Sequence, residues 1–384
     1  MPQPGPRFLT RNETIPNSAL VPVSLQVLNA AMKAVQLTAH GTPGVFAFRE
    51  LPEPQPASGE VIVQVQACGL NRLDLWLEEG ALPTPVQLPR TPGCEIAGRI
   101  VAIAGTPDGK SPWALGDRVA VQSNLFCGEC EYCTRGAESF CLHNVMLGVQ
   151  RDGGFAEKVA VPTRALVRLP DNVDFATSAG LTLAGSTAMH MLTDRAPVRA
   201  GDWVLVIGGA SGVGSAAIQI ARHLGARVLS TGSTEAKRAL ARHLGAEAAV
   251  DSTNAAWPAE VRRLTGKRGV DLVVEHIGGE VLQQVFNCLA RGGTVVTCGA
   301  TAGREVPFNL WPFFVKQQRL IGSYGRNAAD LKATLDWAAA GKLKPVIDST
   351  YPLLEAPAAL AHLRSRTALG KVLVEPYEPV SESD

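Results

Sequence analysis

Four cysteines stand close together as Cys127-x2-Cys130-x2-Cys133-x7-Cys141, a spacing that can bring four thiolates around one tetrahedral ion. One zinc held this way would replace the hydrophobic core that a loop of about 15 residues cannot build for itself, and four thiolates leave no open coordination position, so the ion is expected to be structural. An iron–sulfur cluster, or disulfides in a secreted chain, are the other chemistries the same residues allow. Cys68, Cys94, Cys288 and Cys298 are scattered and read as small buried hydrophobes.

A second chemistry lies in Trp203-Val-Leu-Val-Ile-Gly-Gly-Ala-Ser-Gly-Val-Gly, which runs from an apolar strand through a glycine turn into a helix. Gly208 and Gly209 permit the tight turn. Gly212 lets backbone N–H groups approach a pyrophosphate, and Gly214 lets the helix pack close to the strand. A dinucleotide is therefore expected along Gly209, Ser211, Gly212, Val213 and Gly214; an unliganded glycine-rich turn is the plainer alternative. The next strand ends at Thr231, and Gly232 stands where an NAD-specific site places its acid. The hydroxyls of Ser233 and Thr234, with Lys237 or Arg238, can meet an adenosine 2′-phosphate, which favours NADPH over NADH. The alternative for Lys237 and Arg238 is ordinary solvated helix charge.

These motifs need elements to position them. From Met32 to about Ala160 short strands alternate with Gly/Pro turns, including Val61 to Cys68, Glu95 to Ala104 and Arg118 to Gln122, the texture of a barrel-like β domain. From about Gly201 to Ser323 apolar strands (Trp203–Ile207, Arg227–Thr231, Leu272–Glu275, Thr294–Thr297, Leu320–Ser323) alternate with helical stretches, which predicts a doubly wound parallel sheet and an α/β protein. Ala221-Arg-His-Leu-Gly-Ala recurs as Ala241 to Ala246, each copy ending a helix on a glycine suited to a left-handed turn. A helix over about Ala328 to Ala340 and a strand over Lys371 to Glu375 follow, and that strand is expected to rejoin the first domain.

The charge balance, 36 Lys+Arg against 35 Asp+Glu, supplies no general attraction to nucleic acid or anionic lipid, so the expected partner is a small molecule or another subunit. Three 19-residue stretches lack Asp, Glu, Lys and Arg, yet prolines, polar residues or clustered glycines argue against a membrane span in each; Phe175 to Thr193, for example, carries several Ser/Thr and His190. Residues 1–31 lack a clean signal-peptide pattern and are expected to be a disordered arm or the product of an upstream start, on a cytoplasmic protein.

Together these parts resemble the medium-chain dehydrogenase/reductase superfamily over Met32 to about Pro376. The likeness is carried by Ala67-Cys-Gly-Leu-Asn-Arg-Leu-Asp-Leu-Trp, Pro92-Gly-Cys-Glu-Ile-Ala-Gly, the cysteine lobe, Asp152-Gly-Gly-Phe-Ala-Glu, the glycine fingerprint and Gly370-Lys371. The resemblance implies a GroES-like β-rich catalytic domain from 32–184 and 326–384, with a zinc lobe at about 124–144, and an inserted Rossmann domain over 185–325. It also implies a homodimer or homotetramer formed through the nucleotide-domain sheet. Alcohol dehydrogenases of the superfamily hold a catalytic zinc, and this sequence departs from three of its ligand positions. Asn71 replaces the first cysteine, Cys94 replaces the histidine beside a retained Glu95, and Leu181 to Thr187 contains neither cysteine nor histidine. That pattern resembles the quinone oxidoreductase branch in a form retaining the structural zinc. A zinc held by Cys94, Glu95, Asp74 and water is the alternative.

Without that Lewis acid, hydride transfer to an acceptor already polarised, such as a quinone, an α,β-unsaturated carbonyl or an enoyl thioester, becomes the expected reaction. By position in the resemblance, Asn71 offers an amide to the developing oxyanion or else satisfies local backbone. Asp74 supports it through Arg72 or Lys371, or forms a surface salt bridge, and Thr187, His276, Gly299 and Lys371 lie on the cofactor side. No residue is singled out as the proton donor; Tyr324, Lys316 and water are all open. The residues around Trp76, Leu125-Phe126 and Trp311 to Phe314 are read as cleft lining, the last equally as a subunit contact. A zinc alcohol or polyol dehydrogenase with altered ligands, and a dinucleotide-binding sensor of low turnover, are the rival functions.

Overall fold

Continuous Val, Ile, Leu and Ala runs cannot be left half wet, and the fold buries them in two sheets. The computed structural model describes Met1, residues 30–105 and residues 111–377, so the expected N-terminal arm lies almost wholly outside the described residues. A hairpin of β1 (Ala31–Ala39) and β2 (Val45–Pro52) opens the described chain. The seven-stranded sheet takes β3 (Glu60–Gly69), β4 (Glu95–Ile103) and β5 (Arg118–Val121), while β6 (Asn124–Leu125) and β7 (Val145–Met146) make a separate short ladder. The larger sheet continues with β8 (Lys158–Pro162) and β9 (Leu166–Arg168); helix α1 (Arg72–Glu78) sits between β3 and β4. Helices α2 (Phe175–Leu181) and α3 (Ala184–His190) then lead to the second sheet.

That sheet is wholly parallel in the order β12-β11-β10-β13-β14-β15, the arrangement that opens a crevice outside the strands' carboxyl ends where the order reverses at β10 and β13. Its elements are β10 (Trp203–Val206), α4 (Gly212–His223), β11 (Arg227–Gly232), α5 (Glu235–His243), β12 (Ala248–Asp251) and α6 (Trp257–Leu264). They continue with β13 (Val270–Glu275), α7 (Gly279–Val285), β14 (Leu289–Thr297), α8 (Leu310–Val315) and β15 (Arg319–Gly322). Helices α4 and α5 both end on left-handed glycines, Gly225 and Gly245, as the repeated hexapeptide predicts.

After α9 (Ala328–Ala339), β16 (Ile347–Pro352) and α10 (Ala356–Ser365), the last strand β17 (Lys371–Glu375) returns to pair antiparallel with β3. The chain is thus an α/β protein with a GroES-like β domain completed by its own C-terminal segment and a Rossmann-type parallel sheet between the two parts. Among the described residues no helix is long and apolar enough to cross a membrane.

Candidate functional site

The geometry starts from Glu95, the first residue of β4, whose carboxylate has no exposed surface. Its Oε1 accepts N–H groups from Leu183 (2.6 Å) and Ala184 (3.0 Å) at the start of α3. Its Oε2 meets the Lys371 ammonium at 2.7 Å and the Asn71 amide at 2.9 Å. Asn71 is fully engaged: its amide nitrogen also donates to the Gly69 carbonyl (3.2 Å), and its Oδ1 accepts from Lys371 at 2.9 Å. The expectation of an Asn71 amide free for an oxyanion is therefore corrected; both its protons are spent on buried acceptors.

The expected pairing of Asp74 is corrected as well. Asp74 is buried and forms an ion pair with neither Arg72 nor Lys371; its two oxygens accept N–H groups from Asn71 (2.7 Å) and Gly93 (3.2 Å). Burial outweighs those contacts and the nearby ammonium, and raises its pKa to about 6. Lys371 points its ammonium away from the cofactor turn, while its stem lies where a Gly212 Cβ would fall 2.6 Å from its Cδ. The same turn is strapped to the final strand by Gly370, whose N–H donates to the Ala210 carbonyl at 2.8 Å. One side chain therefore touches the glycine turn and neutralises Glu95.

Cys94 is buried, and desolvation pushes its thiol well above the ordinary range. With four donors on Glu95 and two on Asp74, these carboxylates and Cys94 do not converge as a ligand set; the only group of metal-ligating side chains among the described residues is the cysteine quartet. Its four sulfurs lie within 4.8 Å of one another, with separations of 3.5, 3.6 and 3.9 Å along three edges. Zinc–thiolate bonds of about 2.3 Å in a tetrahedron require edges of about 3.8 Å, so the quartet fits that ion and is far from disulfide distance. Backbone N–H groups of Cys127, Cys130 and His143 already point at the Cys127 and Cys141 sulfurs, and backbone N–H contacts from Cys133 and Leu142 bring the Cys130 thiol down to about 6. Phe126 packs on the quartet rather than on a cleft.

The glycine turn fits a dinucleotide. Ser211 caps α4 by accepting the Gly214 N–H at 2.9 Å, and the Gly212 and Val213 N–H groups at the helix start meet no acceptor among the described residues. Position 214 has to be glycine, since a Cβ there would strike the Gly208 carbonyl. His276, after β13, faces Ser211 Oγ at 3.2 Å, so it borders the phosphate turn, and burial lowers its pKa. Gly299 lies against the His276 backbone, where a side chain has no room. At the end of β11, Arg238 is drawn to Glu235 and Asp251, both at 3.1 Å. Ser233 is exposed, and Lys237 donates to the Arg366 carbonyl at 2.7 Å. Thr187 is buried on α3, one turn beyond the N–H groups that hold Glu95.

Sequence reasoning missed two residues. Arg326 is 2% exposed, donates to Ser123 Oγ and Asn124 Oδ1, and has no carboxylate within ion-pair distance among the described residues. Burial pulls its guanidinium below its ordinary pKa. His190 ends α3 wholly buried, in a stretch whose lack of charge drew attention only as a membrane question. The signal available for both was a basic side chain inside an otherwise uncharged or glycine-flanked run.

Residues 57–171 match the alcohol dehydrogenase GroES-like domain family, and residues 212–340 the zinc-binding dehydrogenase family. A quinone oxidoreductase of Homo sapiens is 29% identical over 84% of this chain and 91% of its own. An acryloyl-coenzyme A reductase of Metallosphaera sedula is 29% identical over 89% and 99% respectively. The crystal structure of an NAD-dependent alcohol dehydrogenase superposes with a TM-score of 0.85 at 38% identity, covering 90% of this chain and 99% of that one.

Replacing Lys371 by Met keeps the stem that packs on Gly212 and strands the Glu95 charge; denaturant unfolding should show a loss of about 3–5 kcal/mol, partly regained in the Glu95→Gln/Lys371→Met double variant. Equal stability of Lys371→Met and wild type would refute the ion pair's role. Because the folded-state pKa of Asp74 lies above its ordinary 3.8, its contribution to stability is complete below that value and is lost as pH rises through about 6. Relative to Asp74→Asn, wild type should therefore lose stability on the order of 3 kcal/mol between about pH 4 and pH 7, a difference that stays flat if the carboxyl is unperturbed.

Proposed function

The chain belongs to the medium-chain dehydrogenase/reductase superfamily and is an oxidoreductase, and within that family we propose an NADPH-dependent reductase of quinones and α,β-unsaturated carbonyls or enoyl thioesters that works without a catalytic metal. The observation that carries the reading is the filled carboxylate of Glu95. Where a catalytic ion would need open ligands, this chain places an ammonium, an amide and two backbone N–H groups. A site with a fixed cation and no Lewis acid gives little help in ionising an alcohol, but can still hold an acceptor whose carbon is already electron-poor. The similarity to a quinone oxidoreductase and an acryloyl-coenzyme A reductase supports the same class of acceptor.

The residues that would hold the dinucleotide are Gly209, Ser211, Gly212, Val213 and Gly214 at the pyrophosphate, Ser233 and Lys237 at the adenosine end, and Thr187, His276 and Gly299 towards the nicotinamide. When bound, this cofactor supplies the hydride. Ser233 and Lys237 lie beyond a strand end that carries Gly232 in place of an acid, which favours a 2′-phosphate. Residues 32–184 with 326–384 form the catalytic part in this reading, and 185–325 the dinucleotide part. One zinc in the cysteine quartet is a structural ion, since four thiolates saturate it. The alternative of an NADH-linked alcohol dehydrogenase is favoured by the 38% identity to an NAD-dependent enzyme of that name.

A homodimer or homotetramer is part of the proposal. Strand β15 lies at the edge of the parallel sheet, paired on its outer side with no strand among the described residues, and beside it α8 exposes Leu310, Trp311 (71%) and Phe314. Trp311 to Phe314 are thus placed at the sheet edge, where a second copy can extend the sheet and cover them.

With a panel of electrophiles, NADPH should be consumed faster than NADH by quinones or enones. Lys237→Ala should raise the KM for NADPH about tenfold with little change for NADH, and zinc analysis should give one ion per chain. Two ions with chelator-sensitive alcohol oxidation would establish the alternative. Light scattering should show at least a dimer, which Trp311→Glu shifts towards the monomer; a monomeric wild type would remove the edge-pairing proposal.

A further inference from the structure

A cleft of about 380 Å³ opens outside the carboxyl ends of β14 and β15, where open parallel sheets bind their ligands. Its lining includes His190, Ser139, Ser323, Cys298 and Tyr324. Three buried polar atoms on this lining, His190 Nε2, Ser139 Oγ and Ser323 Oγ, have no hydrogen-bond partner. Buried polar atoms without partners are costly, and three around one cleft mark a place built to receive something polar.

The other side of His190 is fixed. Its Nδ1 lies 2.9 Å from the carboxylate of Asp330, which also accepts the Asn327 N–H at 2.8 Å and is itself buried. An ionised carboxylate makes Nδ1 the protonated nitrogen, so Nε2 is left with a lone pair in the neutral ring and with a proton in the imidazolium. A π-helical turn, Met191–Arg195, follows His190 directly, a distortion common beside functional residues.

Accepting the reductase reading above, we propose that His190 is the proton donor of this site and Asp330 its positioning residue. Once the β-carbon of an enone has received its hydride, the α-carbon of the enolate takes the Nε2 proton. The N–H bond breaks as the C–H bond forms, and the N–H electron pair stays on the neutral imidazole. For a quinone, the proton goes to an oxygen of the hydroquinone anion. The ring regains its proton from solvent at the open mouth of the cleft, where Tyr324 is 59% exposed. The charged and titratable groups facing His190 are Asp330 from α9, Asp194 (3.9 Å) and Arg195 from the π-turn, Cys298 beyond β14 and Tyr324 beyond β15. Helix α4, packed on α3, carries none before Arg222 and His223 at its far end.

The test pairs kinetics with a measurement independent of turnover. His190→Gln should lower kcat about a hundredfold and abolish one limb of the pH–rate profile, while the Kd for NADPH and the melting temperature stay near wild type. Nitrogen-15 imidazole NMR on wild type, with the His190 signal identified by its absence in His190→Gln, should show Nδ1 protonated throughout and Nε2 taking up its proton as the pH is lowered. Asp330→Asn should disturb that tautomer and slow turnover. Unchanged kcat and pH profile in His190→Gln, NADPH binding weakened tenfold with the profile intact, or a neutral wild-type ring carrying its single proton on Nε2 would each overturn the proposal. If the variant does not fold, the signal is assigned by selective labelling and the wild-type spectrum decides. If no acceptor is reduced, the reductase reading fails, whereas the spectrum with NADPH bound still reports whether the ring is poised as described.

Discussion

Glu95 carries a negative charge at a position with no solvent, and the elements around it are arranged to answer that charge. An isolated buried carboxylate costs several kcal/mol, so its four donors have to be present together. They come from three separate parts of the chain: α1 supplies Asn71 at its N-cap, α3 supplies two terminal N–H groups, and β17 supplies Lys371. Since β17 arrives hundreds of residues after β3, the ion pair forms only when the C-terminal segment has closed the seven-stranded sheet. Completing the fold and neutralising the site are thus one event.

The same strand reaches the cofactor turn. Gly370 hydrogen-bonds to Ala210, and Lys371 passes beneath Gly212, so the phosphate cradle is attached to the β domain as well as to its own sheet. His276 adds a second tie through Ser211. A turn fixed from both sides loses little further freedom when a pyrophosphate arrives, which is how preorganisation improves affinity without adding contacts. The cation near Glu95 is similarly fixed, whereas a metal at that position would require the carboxylate oxygens and amide that Lys371 and the α3 N–H groups already occupy.

Periodicity revealed the parallel sheet because apolar strands between helices are long-range patterns with short-range signatures; β10, β11, β13 and the closing strand all lie where Val-rich runs place them. Strand β12 escaped because Ala248-Ala-Val-Asp is short and lies at a sheet edge, where little burial is demanded of it. The cysteine quartet and glycine turn were legible since their chemistry is local in sequence. Asn71 and Lys371 stand out as residues but not by their partners, which lie 24 to 300 positions away, and no spacing encodes which acceptor an amide will choose; Asp74 accepts from Asn71 and Gly93, 3 and 19 positions away, through a capping geometry that its spacing alone does not distinguish from an ion pair. His190 and Asp330, 140 residues apart, were invisible for the same reason.

The cysteine lobe connects these levels. Ser139 and Phe140, immediately before Cys141, form one wall of the cleft that holds His190. The Ser139 N–H donates to Asn327 Oδ1 at 3.0 Å, and the Asn327 amide reaches Asp194 at 3.2 Å. Arg195 covers the Phe140 ring 5.1 Å from its centre and donates to the Gly322 carbonyl at the end of β15. The lobe has a small apolar core, Phe126 packed on the cysteines with the Tyr132 and Phe140 rings in contact beside it, so four metal–thiolate bonds would give its backbone the precision those contacts need. A structural ion bound there would act on the chemistry at a distance, by keeping in place the lobe wall of the cleft in which, on the proposal above, His190 delivers its proton.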